Sequence, residues 1–377
     1  MIDFNTLTYG FIGLGLIGGS IAKAIRQNFP DAGILAYNPG PDTLDEAFAD
    51  GVVNQGICSQ DAPEDGRAFD GAFFESCDIV FLCAPVQKNA ENLALIRDHL
   101  KPGAILTDIG STKRDIHKHV DELGLSASFV GGHPMTGSER TRYRNSNAFL
   151  LENAYYMLTA GRDVSVEKTG TMIRLVSGLH ALPLLIDPDF HDFAVAGVSH
   201  VPHVISASLV NLVKNSDNAD GVMHRIAAGG FRDITRISSS SPEMWQQICL
   251  TNGDKILQLL DAYIGQLQDI RASIKRHSAR EIYDFFDSAR TYRDSFGSTS
   301  TDAADRNFRV GVDIADQPGM LAEVVTLLAV NALSIKNIGI SHNREYQEGV
   351  LMVEFYTEEE MQHACGILKS RNFTVHE

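Results

Sequence analysis

The stretch Gly13-Leu14-Gly15-Leu16-Ile17-Gly18-Gly19-Ser20 decides how the rest of the chain is read. A short apolar run from Leu7 to Ile12 precedes it, and Ile21-Ala22-Lys23-Ala24-Ile25-Arg26, helical in pattern, follows it. Glycines spaced G-x-G-x-x-G between a strand and a helix form a phosphate cradle. Gly13 permits the tight turn, Gly15 lets a pyrophosphate approach the backbone, and Gly18 lets the helix pack closely on the strand. Leu16 and Ile17 open the helix, whose first N–H groups have no partner inside it and can face phosphate oxygens. The motif predicts a dinucleotide-binding domain at this position.

Outward from it, Gly33 to Tyr37 reads as the second strand, ending at Asn38. An acid is expected near here to hold the ribose hydroxyls of NAD. Asn38 can hydrogen-bond a ribose but lacks the charge that repels a 2′-phosphate, and no lysine or arginine follows to attract one. NAD is the expected cofactor, with NADP left open. Asp42 is the fallback acid or the N-cap of a helix near Thr43. Asp78 to Pro85 and Ile105 to Ile109 read as further strands, the latter running into Gly110-Ser111-Thr112-Lys113. Alternating strands and helices imply a parallel, doubly wound sheet. Ligands bind at the carboxyl ends of such strands. Ser111 there is a candidate to bond a catalytic imidazole or a substrate hydroxyl, and equally an N-cap. After the strand-like Ser128-Phe129-Val130 comes Gly131-Gly132-His133-Pro134-Met135-Thr136-Gly137-Ser138-Glu139. His133 falls on the same sheet edge, where an imidazole can take a proton near neutral pH.

Beyond residue 155 the pattern turns helical. Asp187-Pro188-Asp189 looks like a helix start, and the stretch after it contains Ser199-His200-Val201-Pro202-His203. The two histidines are spaced to share a helix face, but no acid or cysteine accompanies them, so no metal is expected. Arg232 and Arg236, spaced i and i+4, could hold a carboxylate or pair with a surface acid. Trp245 reads as a packing residue. Ile256, Leu259, Leu260, Tyr263, Ile264 and Leu267 form an apolar face suited to a second subunit. Phe296 to Asp305 reads as a linker, and residues 306–377 follow the order βαββαβ of a ferredoxin-like sandwich. The domains expected are 1–155 (Rossmann-type), 156–295 (helical, substrate and dimerisation) and 306–377 (ferredoxin-like).

The chain carries 32 Lys and Arg against 48 Asp and Glu, a net charge of −16, which argues against nucleic acid or an anionic membrane as partner. The five cysteines form no C-x-x-C pair, no apolar run reaches membrane-spanning length, and no signal peptide is visible. A cytoplasmic enzyme is expected.

Taken together, the Gly13–Ser20, Asp108–Lys113, Gly132–Glu139, Ser199–His203, Gly230–Arg236 and Asp316–Gly319 segments resemble the prephenate dehydrogenase family with a C-terminal ACT regulatory domain. The resemblance implies NAD-dependent oxidative decarboxylation of prephenate to 4-hydroxyphenylpyruvate in tyrosine synthesis. By it, His133 is the catalytic base and Ser111 its orienting partner. Arg236 anchors a substrate carboxylate, and His203 and Glu139 line the pocket. It further implies a homodimer and an amino-acid effector, most plausibly tyrosine, near Asp316, Pro318 and Gly319. The alternatives are arogenate as substrate, or a non-catalytic sensor of NAD and an amino acid. A generic β-hydroxyacid dehydrogenase would need a catalytic lysine on the helical domain, and none stands in a matching motif.

Overall fold

The computed structural model describes residues 2–63, 66–137, 141–295, 308–315, 317, 319–342 and 348–376. The chain divides into two compact units, Met1–Gln268 and Asp269–Glu377.

The first unit opens with β1 (Thr8–Ile12), α1 (Leu16–Asn28), β2 (Gly33–Tyr37), α2 (Pro41–Ala49) and β3 (Gln55–Ile57). It continues with β4 (Ile79–Leu82), α3 (Val86–Ile96), β5 (Ile105–Asp108) and α4 (Arg114–Glu122). These strands form one parallel sheet in the order β3-β2-β1-β4-β5. Alternate residues face opposite ways. Tyr9, Phe11, Ile79 and Phe81 join the core on one face, while Ile12, Val80 and Leu82 join the core on the other. A sheet buried on both faces needs helices on both, which is why its strands read as continuous apolar runs. α2 is capped by Gly40 with Pro41 at its first position, and Asp42 lies within the first turn rather than at the cap.

The sheet motif does not stop at residue 155. β6 (Val130–Pro134) pairs antiparallel with β7 (Tyr155–Ala160), and β7 pairs parallel with β8 (Leu182–Leu185), with α5 (Val166–Gly178) between them. A parallel bridge from Leu106 to Phe129 ties this sheet to the first. A boundary at 155 would therefore cut a hairpin whose Leu158 and Tyr156 are buried in the same core as Phe11. Helical structure begins instead at α6 (Pro188–Val195), where Asp187 accepts from the backbone N–H groups of Asp189 and Phe190.

α6 continues through a π-helical turn (Ala196–His200) into α7 (Val201–Ser216). The joined helix, Pro188–Ser216, is long and apolar enough to cross a membrane by length and composition, although no single apolar run in the sequence suggested it. Its Asp192, His200 and Ser206 are instead bonded to other elements of the same unit. Short helices α8 (Val222–Ile226) and α9 (Gly229–Thr235), then α10 (Pro242–Thr251) and α11 (Gly253–Lys275), follow.

The division between the units falls within α11. The second unit holds α12 (Ala279–Asp294), β9 (Phe308–Ala315), α13 (Met320–Val330), β10 (Ile335–His342), β11 (Glu348–Phe355), α14 (Glu358–Ser370) and β12 (Val375–His376). The strands pair antiparallel in the order β10-β11-β9-β12, the βαββαβ arrangement expected for this region. Val310, Val312, Leu351 and Val353 pack against Val324, Leu328, Ala364 and Leu368 of its two helices. Gly319, at φ +98°, is the N-cap of α13; Asp316 and Pro318 lie outside the described residues.

Candidate active site

The glycine turn has the local geometry that a phosphate cradle needs. Gly13 sits at φ +99°, a left-handed conformation costly for any residue with a Cβ. A Cβ on Gly18 would lie 2.8 Å from the Gly13 carbonyl oxygen and 2.9 Å from the Cys83 Cβ, so helix and strand approach here as only glycine allows. Around Gly15 there is open space. Gly15 is the N-cap of α1 and supplies no side-chain bond, so the first N–H groups of the helix stay available to an anion. Asn38 is engaged elsewhere. Its Oδ1 accepts from Leu14 N at 3.2 Å and its Nδ2 donates to Gly40 O at 3.1 Å, bracing the glycine turn. It is not among the residues lining the cleft.

That cleft, of about 700 Å³, is lined by Gly15, Leu16, Ile17 and Gly18 on one side. Ser111, His133, His203, Met244 and Trp245 line other parts of it. Two segments that the sequence separates by about a hundred residues are thus brought into one cavity with the glycine turn. Glu139 lies outside the described residues. Arg236 is exposed, just past α9. The neighbouring Ile237, Ser239 and Ser240 line the cleft, and its positive charge is one cause of the lowered His203 pKa. Burial is the larger cause. His203 Nδ1 donates to the Ser199 carbonyl at 2.9 Å, which leaves Nε2 as an acceptor.

His133 is placed by charged groups that sequence pattern did not single out. Lys113, at the start of α4, is wholly buried and bonds Asp108 at the end of β5, itself 1% exposed. The same ammonium donates to the Gly132 carbonyl at 2.6 Å, and Asp108 accepts from Gly132 N at 3.2 Å. The residue before His133 is therefore gripped at both backbone groups. Ser111 is not the helix cap. Asp192 on α6 instead accepts from the backbone N–H groups of Lys113, at 2.7 Å, and Arg114, at 3.0 Å, doing for α4 what a cap residue does. Asp192 also meets His191 Nδ1 at 2.8 Å, and His191 Nε2 lies 2.9 Å from His133 Nδ1. Asn252 Nδ2 donates to the Asp192 carbonyl at 2.8 Å and sits 3.1 Å from His200 Nδ1. Burial above all, then the neighbouring His191 imidazole, the Lys113 ammonium and the His200 imidazole, holds His133 well below the ordinary histidine pKa, so its ring is unprotonated at pH 7. His200, likewise buried, is pushed down to about 4.

Trp245 does more than pack. It stacks on His203 with ring centroids 3.8 Å apart, lines the cleft, and its buried Nε1–H has no hydrogen-bond partner among the described residues. An orphaned donor beside a cavity is suited to a ligand acceptor. A single tryptophan in sequence carries no such signal.

A glycine-turn sheet with a neutral, half-buried histidine in the same cleft defines a dehydrogenase of the dinucleotide-dependent class. Family models described as the prephenate dehydrogenase nucleotide-binding domain and dimerization domain match residues 21–182 and 187–288. A prephenate dehydrogenase of Bacillus subtilis (strain 168) is 35% identical over 361 residues, 95% of this chain and 95% of the relative. The structure of prephenate dehydrogenase from A. aeolicus in complex with hydroxyphenyl propionate and NAD+ is 26% identical, with TM-score 0.70, covering 77% of this chain and 98% of that one. The structure of Synechocystis arogenate dehydrogenase is also 26% identical, with TM-score 0.68, covering 77% of this chain and 100% of that one. The chain belongs to the prephenate dehydrogenase family.

Proposed function

We propose that this chain oxidatively decarboxylates prephenate to 4-hydroxyphenylpyruvate with NAD+. The observation that carries the reading is the single cleft uniting Gly15–Gly18, Ser111, His133 and His203. Gly13, Gly15, Leu16, Ile17 and Gly18 hold the pyrophosphate at the α1 N-terminus. When bound, NAD+ supplies the acceptor for the hydride leaving the ring carbon that bears the hydroxyl. His133, neutral and desolvated, accepts the hydroxyl proton. Ser111 bonds the imidazole or the hydroxyl. Departure of CO2 leaves an aromatic ring, which drives the reaction forward. Arg236 and His203 receive the substrate's anionic end, the family resemblance assigns Glu139 to the same pocket, and the Trp245 N–H offers a further donor.

Asn38, neutral and occupied with the turn, neither repels nor attracts a 2′-phosphate, so NAD+ is preferred over NADP+ by the absence of a basic partner rather than by an acid. Initial rates with prephenate and arogenate, each with NAD+ and NADP+, test the proposal. Rapid NADH formation from prephenate, lowered by roughly 10³-fold in His133→Asn, is expected. Turnover of arogenate in its place would give this chain the activity named for its Synechocystis neighbour. Absence of turnover with any pair would leave the non-catalytic sensor of NAD and an amino acid.

The βαββαβ order of the second unit supports an ACT regulatory domain there, with domains near 1–187, 188–295 and 306–377. The left-handed Gly319 at the start of α13 supports an effector turn with Asp316 and Pro318. Tyrosine is the effector expected. Calorimetry showing no tyrosine binding, with unchanged rates, would remove that part of the reading. Exposed Leu212, Ile226, Leu250, Leu257, Ile264 and Leu267 in the helical region, together with the family's dimerization domain, support a cytoplasmic homodimer.

A further inference from the structure

Behind His133 stands a chain of buried groups that the reaction as written does not use. His191 and Asp192, on α6, are 0% exposed. Both oxygens of Asp192 accept backbone N–H bonds, from Lys113 and Arg114, so both face donors and the carboxylate serves here as an acceptor. His191 Nδ1, 2.8 Å from Asp192 Oδ1, must then carry a hydrogen. A neutral ring with its hydrogen on Nδ1 has a lone pair on Nε2. That lone pair lies 2.9 Å from His133 Nδ1.

We propose that His191 is a positioning residue for the base: it accepts from His133 Nδ1–H, fixing the His133 tautomer so that Nε2 is the nitrogen left to take the substrate proton. The inference rests on His133 acting as that base. The other groups facing His133 are cationic or basic: Lys113 from the start of α4 and His200 from the π turn, with Asp108 paired to Lys113. Among the described residues it is His191 that stands within hydrogen-bond distance of His133 Nδ1, so the acceptor role falls to it. During turnover one O–H bond of the substrate breaks and one Nε2–H bond forms. His133 becomes an imidazolium whose Nδ1–H remains bonded to His191, and the Asp192 charge lies behind it. The order is carboxylate, imidazole, imidazole, longer by one ring than the arrangement in which a carboxylate directly orients a catalytic histidine.

The tautomer can be read without substrate, which separates this inference from the choice of substrate. In protein labelled with ¹⁵N-histidine, long-range ¹H–¹⁵N spectra at neutral pH report which nitrogen of His133 carries hydrogen, His133→Asn supplying the assignment. Hydrogen on Nδ1 in the native enzyme is expected. His191→Leu removes the acceptor: the tautomer preference should be lost and kcat should fall about 100-fold, while the KM values for substrate and NAD+ change less than about 3-fold. His191→Gln, whose carbonyl can stand near the place of Nε2, should keep the Nδ1–H tautomer and regain at least about tenfold in kcat over His191→Leu. Should His191→Leu not fold, His191→Gln must by itself keep the tautomer and lie within about tenfold of the native kcat. Native His133 protonated on Nε2 would overturn the inference, as it would mean a charged His191 donating towards His133. So would His191→Leu with native kcat, or His191→Gln no better than His191→Leu.

Discussion

At the β1–α1 end of the cleft the working surface is backbone; at the β6 end it is side chain. The glycine turn presents N–H groups and space, and it is shaped by its own residues 13–18 together with Tyr37, Asn38, Cys83 and Ala84, at and just past the ends of β2 and β4. The histidine end is built from Lys113, Asp108, His191, Asp192 and Asn252, all nearly or wholly buried and drawn from elements far apart in sequence. At Gly18 the backbone end tolerates no added atom. The side-chain end tolerates no unmatched charge. The first is a steric constraint and the second an electrostatic one, and they should fail differently.

The largest effect is expected at the charged end. Lys113→Met leaves the Asp108 carboxylate buried without its cation and the Gly132 carbonyl without its donor, at a cost of about 3–5 kcal/mol of unfolding free energy in a denaturant titration. A loss below about 1 kcal/mol would mean that the pair does not hold β6 against β5. Gly18→Ala tests the other end. Its methyl must displace the Gly13 carbonyl or the Cys83 side chain, and overpacking of this kind costs about 1–3 kcal/mol. The result should be NAD+ binding weakened roughly tenfold or more by calorimetry.

A pH titration sharpens the contrast further. His117 and His200 are each lowered to about 4, in both cases chiefly by burial, and His133 is lowered too. Below pH 6.5 the unfolded chain binds protons that the folded protein refuses, so stability present above pH 6.5 is lost as pH falls towards 4. The midpoint of thermal unfolding should drop between pH 6.5 and 5, where few carboxylates titrate. A flat profile there would show these histidines to be accessible to protons in the native state. The smallest effect belongs to Gly15→Ala. With open space around it, stability should shift by no more than about 0.5 kcal/mol, while NAD+ binding weakens because the methyl occupies the approach of the phosphates.

The same contrast explains what could be read from sequence. Gly13 and Gly15 act through backbone conformation set by their neighbours in the chain, and Gly18, though it meets Cys83, falls at a fixed spacing from them, so spacing suffices. The βαββαβ order of the second unit was legible for the same reason, each element carrying its own period and turn. The sheet formed by β6, β7 and β8 was only half legible. Ala154 to Ala160 has the composition of a strand, but nothing local says which strand it pairs with. In sequence His191 and Asp192 read only as the first turn after the helix start at Asp187-Pro188-Asp189. A signal was available: they share the buried side of α6 with Val195, and a charged pair on an otherwise apolar face needs a partner from elsewhere. Lys113 gave no such hint, because its burial depends on Asp108 and Gly132. Glu139, Asp316 and Pro318 lie outside the described residues, and Arg236 is tied to the cleft by its effect on His203 and by its neighbours Ile237, Ser239 and Ser240.

The π-helical turn at Ala196–His200 has a consequence for how this helix can vary. It stores one residue more than a regular helix would hold between α6 and α7. Deleting that one residue, Gly197 for example, would let the helix run regularly with α6 and α7 close to their present phase, because the wide turn already absorbs the roughly 100° that one residue adds. His191 behind His133 and His203 on Trp245 would both keep their facing. A second deletion, with no wide turn left to absorb it, would rotate α7 by about 100° and take His203 off Trp245. The turn is thus one residue of slack in the helix that joins the half serving the base to the half facing the substrate.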